Sequence, residues 1–148
     1  MQISDILDPS RILCGVDKTS KKAALESIAG LLASGSDSLS QGQVFDCLLN
    51  RERLGSTGLG KGIGLPHGRM KNGNNTIAAF VRLQSGIDYN AADKQPVDLL
   101  FALLVPEEST DEHLQILSQI AEKFSSTDLQ EKLRSEDDVQ ALFELLTD

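Results

Sequence analysis

Val97-Asp-Leu-Leu-Phe-Ala-Leu-Leu-Val105 is apolar at every position except Asp98, and Pro106 follows it. A run with so little alternation predicts a central strand covered on both faces. Pro106 stops it, having no N–H to give to a ladder. Downstream, Ser109 and Thr110 read as helix caps, with Asp111 and Glu112 in the first turn. The helix 109–124 is expected to bury Leu114, Leu117, Ile120, Ala121 and Phe124. Leu129 and Leu133 mark a short helix, and Ser135 reads as the cap of a last one. That one carries Val139, Leu142, Phe143 and Leu146 at i, i+3, i+4 and i+7. Upstream, residues 76–83 predict a strand bounded by an Asn/Gly turn at 72–75. Ser40 and Gln43 form a capping box for a helix with Val44, Phe45, Leu48 and Leu49, ending near Arg53–Leu54. Residues 20–34 place Ala24, Leu25, Ile28, Ala29, Leu31 and Leu32 at helical spacing. Residues 11–16 read as a strand and 3–7 as a helical turn stopped by Pro9. Strands and helices interleave, so the expected class is α/β, with a mixed, mostly parallel β-sheet flanked by α-helices. With 148 residues, the chain has the size of one domain, 1–148.

Composition narrows the function. Apolar residues make up 40% and charged residues 24%, as in a soluble globular protein. Apolar runs fall short of the ~20 residues a membrane span needs. No basic start followed by an apolar stretch marks a secretory signal. A cytoplasmic protein without membrane insertion is therefore expected. The net charge of −8 argues against nucleic-acid partners. The absence of Trp and the single Tyr leave no aromatic platform for stacking bases. Cys14 and Cys47 are expected as two buried free thiols. Two distant Cys and two distant His do not supply a zinc site, so no metal is expected.

The charge and the glycine are uneven. Residues 1–74 hold nine Lys/Arg against seven Asp/Glu, net +2, and residues 75–148 hold five against fifteen, net −10. Six of the twelve glycines fall in the fourteen residues from Gly55 to Gly68. Gly55-Ser-Thr-Gly-Leu-Gly-Lys61 satisfies GxxxxGK. The position that should hold magnesium is Gly62 instead of Ser or Thr, and a helix precedes the segment where a nucleotide loop needs a strand. The dinucleotide fingerprint fails, because the glycines alternate at 58, 60, 62 and 64. Two readings stay open. In one, alternate glycines let other parts of the chain approach an extended backbone closely. In the other, the same bare face serves His67, which Pro66 and Gly68 would hold exposed at a strand end. Arg51, Arg53, Lys61, Arg69 and Lys71 stand against only Glu52, a local +4 that suits an anion, and arginine suits phosphate in particular.

His113 is the only other histidine and falls in the first turn of the helix after the central strand. Helix starts favour anions, and α/β proteins bind ligands at neighbouring strand ends. Convergence of His67, His113 and Arg51 there would make a phosphohistidine site.

Four blocks carry a resemblance. They are Asn50-Arg-Glu-Arg-Leu-Gly-Ser-Thr-Gly-Leu-Gly60, Gly62-Ile-Gly-Leu-Pro-His-Gly-Arg69, Gln95-Pro-Val-Asp-Leu-Leu-Phe-Ala-Leu-Leu-Val-Pro106 and Glu112-His-Leu-Gln-Ile-Leu117. In this order they resemble the IIA proteins of the phosphoenolpyruvate phosphotransferase system, in the fructose/mannitol-type branch and within it the nitrogen-regulatory type. The resemblance implies that His67 accepts a phosphoryl group from an HPr-like phosphocarrier. It implies that His113 orients His67 and stabilises the phosphate, and that Arg51 sits at the same pocket as a clamp. Ser56, Thr57, Lys61 and Arg69 are possible phosphate or partner contacts. No cofactor is implied. The nitrogen-type role would be regulation of cytosolic partner proteins through the phosphorylation state. The alternatives are a sugar-transport IIA passing phosphate to a IIB domain, and a binding module that uses no phosphate.

Overall fold

The structure is a computed structural model that describes residues 1–71, 75–108 and 110–148. The helices are α1 (Ile3–Ile6), α2 (Lys21–Ala33), α3 (Gln41–Arg53), α4 (Thr110–Phe124), α5 (Thr127–Ser135) and α6 (Val139–Thr147). The strands are β1 (Ile12–Val16), β2 (Gly58–Gly60), β3 (Ile63–Gly64), β4 (His67–Met70), β5 (Ile77–Ile87) and β6 (Val97–Pro106).

β6 is the spine of the sheet. The order is β1-β5-β6-β3-β2, and β4 also pairs with β6, continuing the edge that β3 begins. Alternation along β6 then splits the core. Leu99, Phe101, Leu103 and Val105 join one cluster, with Ile116, Ile120 and Phe124 of α4 and Leu142 and Leu146 of α6. Leu100, Ala102 and Leu104 join the other, under Ala24, Ile28 and Leu32 of α2 and Val44 and Leu48 of α3. Burying each large apolar side chain contributes about 2 kcal/mol, so a run apolar on both faces is stable only between two helical layers.

The sheet is mixed. β1/β5, β3/β6 and β4/β6 are parallel, whereas β5/β6 and β2/β3 are antiparallel. The β5/β6 ladder is the longest, running from Ile77↔Leu104 to Ile87↔Val97. It is antiparallel because a loop, not a crossover helix, joins the two strands. β5 runs on to Ile87, beyond the expected end at Leu83.

Other expectations need correction. The Gly-rich segment folds into a hairpin, with Gly60 opposite Ile63 around Lys61 and Gly62. Both turn residues have positive φ, 58° and 84°, the mark of a type I′ turn, in which glycine carries no Cβ penalty. The last helix is capped by Asp138, whose carboxylate accepts from Ala141 N at 2.9 Å; Ser135 instead ends α5. Leu114 is 62% exposed, because the inward face of α4 carries His113, Ile116, Ile120 and Phe124, and Leu114 lies one position off it. Cys14 and Cys47 are free but only half-buried. The Ser109 cap and the turn at 72–74 lie outside the described residues.

Candidate functional site

His67 opens β4, whose ladder with β6 pairs His67 with Leu103 and Arg69 with Val105. Residues two apart on a strand project from one face, so His67 and Arg69 share a side. The α3 helix can pack close to β4 because residue 68 is glycine: a Cβ there would stand 2.5 Å from Cys47 Sγ. The first turn of α4 brings in His113, and the last turn of α3 brings in Arg51. His67, His113, Arg51, Arg69 and Lys71 all line one cleft of about 820 Å³.

The imidazoles of His67 and His113 meet edge to face, with centroids 5.5 Å apart and planes at 73°. His67 Nδ1 lies 2.7 Å from the Leu65 carbonyl. A carbonyl only accepts, so Nδ1 carries the proton and the ring's lone pair is on Nε2. His113 is 6% exposed, and its Nδ1 accepts from Arg69 Nε at 3.1 Å. Its Nε2 is buried and has no hydrogen-bond partner among the described residues.

Both rings are held neutral. Burial lowers the His67 pKa below 6.5; Arg51 and Arg69 add to this, while the Leu65 carbonyl and Glu52 oppose it. Burial, then His67, Arg69 and Arg51, push His113 down to about 4. His67 is half-buried instead of exposed, since α4 closes over one side of it.

Arg51 is partly committed: its Nη1 donates to Gly55 O at 2.9 Å, which holds the guanidinium beside the loop 54–57. Ser56 and Thr57 line a second depression of about 400 Å³ that shares Arg51, His67, Leu114 and Leu117 with the cleft. Their hydroxyls are engaged internally. Ser56 Oγ donates to Tyr89 O at 3.1 Å, and Thr57 Oγ1 bonds the Glu52 carboxylate and lies 3.0 Å from the Tyr89 hydroxyl. Lys61 is not brought to the site. Its N–H donates to Asp93 at 2.9 Å and its carbonyl accepts from Arg134 at 2.9 Å, at the hairpin tip. The local +4 of the sequence is therefore smaller at the cleft itself.

Sequence reasoning missed the support beneath the loop. Glu52 is buried and pairs with Lys21 Nζ at 2.7 Å, while Thr57 N donates to the same carboxylate at 3.2 Å. Lys21 also donates to Tyr89 O at 3.1 Å. The signal was present: Glu52 falls eight residues after Val44 and four after Leu48, on the inner face of α3. Also missed was an apolar rim, with Leu54 84%, Leu114 62% and Leu59 45% exposed around the two depressions.

The model of the family described as phosphoenolpyruvate-dependent sugar phosphotransferase system, EIIA 2, matches residues 5–148. The chain belongs to this family. Among EIIA 2 relatives it is similar to a nitrogen regulatory protein of Pseudomonas aeruginosa, 42% identical over 100% of this chain and 96% of that protein. Its fold superposes on the crystal structure of nitrogen regulatory protein IIA-Ntr from Neisseria meningitidis with a TM-score of 0.94 and 42% identity, covering 98% of this chain and 99% of that one. The IIA mannitol crystal structure from Escherichia coli has a TM-score of 0.79 at 22% identity, covering 94% and 97%, and so shares the EIIA 2 fold. Among the described residues, no helix is long and apolar enough to cross a membrane.

Proposed function

We propose that this chain, acting as one domain over residues 1–148, carries a phosphoryl group on His67 Nε2. The donor is a phosphohistidine on a small HPr-like carrier. The phosphorylation state then governs binding to cytosolic partner proteins. The observation that carries this reading is the state of the two rings. Each Nδ1 is occupied, so His67 offers a lone pair on Nε2 and His113 offers an N–H on its own Nε2.

The chemistry follows from that arrangement. The His67 Nε2 lone pair forms the new N–P bond as the donor's N–P bond breaks, and the donor imidazole leaves with its electron pair. Nδ1 keeps its proton, so positive charge develops on the ring, and the Leu65 carbonyl at 2.7 Å stabilises it. His113 Nε2–H and the guanidinium of Arg51 meet the phosphoryl oxygens. Such transfer depends on positioning and charge neutralisation. A neutral nucleophile is required, and the lowered His67 pKa supplies it at neutral pH.

The apolar rim of Leu54, Leu59 and Leu114 is where the carrier docks, since exposed large apolar groups beside a reactive cleft mark a contact surface. Phosphorylation adds roughly −1.5 to −2 charge, by analogy with other phospho-residues. Partners can thus distinguish the two forms by charge at the cleft.

The test is incubation with labelled phosphoenolpyruvate, enzyme I and the HPr-like carrier. An acid-labile label should appear on the wild type and be absent from His67→Ala. No acid-labile label, or equal labelling of His67→Ala, overturns the reading. A pull-down with both phospho-forms tests the regulatory part; a sugar-specific IIB as the main partner would overturn it.

A further inference from the structure

Arginine has five N–H donors and no acceptor. Its Nε–H on His113 Nδ1 at 3.1 Å is therefore compatible with one neutral tautomer of His113, the one protonated on Nε2. The opposite tautomer would set two N–H groups against each other and leave a bare lone pair on the buried Nε2. That second nitrogen has no partner among the described residues, although the residue is only 6% exposed. A buried donor without a partner is costly to keep and is accounted for where a ligand completes it.

We infer that Arg69 is a positioning residue that fixes the tautomer of His113, so that His113 always presents an N–H, and never a lone pair, to the phosphoryl group on His67. The inference rests on the proposal that His67 takes that group. Phosphoryl oxygens only accept at neutral pH, so a lone pair on Nε2 would repel them. Without Arg69 both neutral tautomers of His113 become accessible.

The backbone holds Arg69 for this task. Its strand position is set by the pairing with Val105, and its carbonyl accepts from Cys47 Sγ at 3.3 Å. The i, i+2 relation with His67 aims both side chains at the same cleft. The guanidinium also excludes a second proton from His113 by charge. The other groups acting on that ring are His67 and Arg51.

The tautomer is read directly by two-bond ¹H–¹⁵N correlation spectra of histidine-labelled, unphosphorylated protein at pH 7.5. Wild type should show His113 protonated on Nε2 alone, and Arg69→Met should show averaged nitrogen shifts from two tautomers. Arg69→Lys, which keeps a donor, should restore much of the wild-type pattern. Phosphoryl transfer from the phosphorylated carrier should fall about tenfold in Arg69→Met, the loss of one charge-assisted hydrogen bond. In a His113→Gln background, where an amide N–H is available without a tautomer, Arg69→Met should change transfer by less than about twofold. An unmixed Nε2–H pattern in Arg69→Met overturns the inference. So does an equal loss of transfer in both backgrounds, which would mean that Arg69 acts on the phosphate directly. Wild-type protein that takes no label defeats the carrier reading instead, and the spectra still decide the tautomer.

Discussion

The ring of His67 stands edge to face with that of His113, 5.5 Å between centroids, and both rings are neutral, each with a single N–H, at neutral pH. His113, whose pKa is lowered from 6.5 to about 4, binds fewer protons folded than unfolded between those values. Stability contributed by the neutral ring is therefore full above pH 6.5 and declines as the pH falls towards 4. The expected loss from this group between pH 7.5 and pH 5 is about 2 kcal/mol. Urea unfolding of wild type and His113→Gln at both pH values reads it, since titrating groups away from the His67–His113 pair cancel in the difference. Equal pH dependence in the two proteins would contradict the prediction.

Arg51 lowers the pKa of His67 and lines the same cleft. Arg51→Gln should therefore raise the His67 pKa, measured by NMR titration, while slowing phosphoryl transfer about tenfold or more. A His67 pKa that stays put or falls would remove Arg51 from the electrostatics of the site.

Glu52 and Lys21 form a 2.7 Å ion pair with side chains only 3% and 18% exposed. Removing one partner leaves a buried charge uncompensated. Glu52→Ala should destabilise the fold by about 3 kcal/mol in urea unfolding. A loss below about 1 kcal/mol would mean that the pair behaves as a surface one.

Gly68→Ala places a Cβ 2.5 Å from Cys47 Sγ. Overpacking of this kind costs about 1–3 kcal/mol. Cys47→Ala removes the sulfur, so the double variant should recover most of the loss. Additive losses in the two single variants and the double would show that the contact is not the cause.

Much of the fold was legible because periodicity carried it. The apolar run 97–105 announced a strand buried on both faces, and helical spacing announced α2, α3 and α6. The hairpin of β2 and β3 was hidden, because its turn is Lys61-Gly62 and not the Asn-Gly or Asp-Gly pair that signals such turns. The direction of β5 against β6 depended on the path of the loop between them, which local patterning does not encode. Leu114 was misplaced because its neighbour His113, a polar residue, occupies the inward face of α4.

At the site, His67, set between Pro66 and Gly68, and His113 stood out as the two histidines of the sequence. The link from Arg69 to His113 spans 44 residues and exists only through tertiary packing. Lys61 looked equivalent to Arg69 by charge, yet the hairpin holds it at its tip, with its backbone bonded to Asp93 and Arg134.

The most direct measurement of the central claim is the position of the phosphoryl group. The phosphorylated protein, made with the HPr-like carrier, is examined by ³¹P and ¹⁵N NMR and by peptide mapping under alkaline conditions. The account predicts a single phosphoryl group on Nε2 of His67, with Nδ1 still protonated against the Leu65 carbonyl. A phosphoryl group on Nδ1 of His67, or on His113, would contradict it.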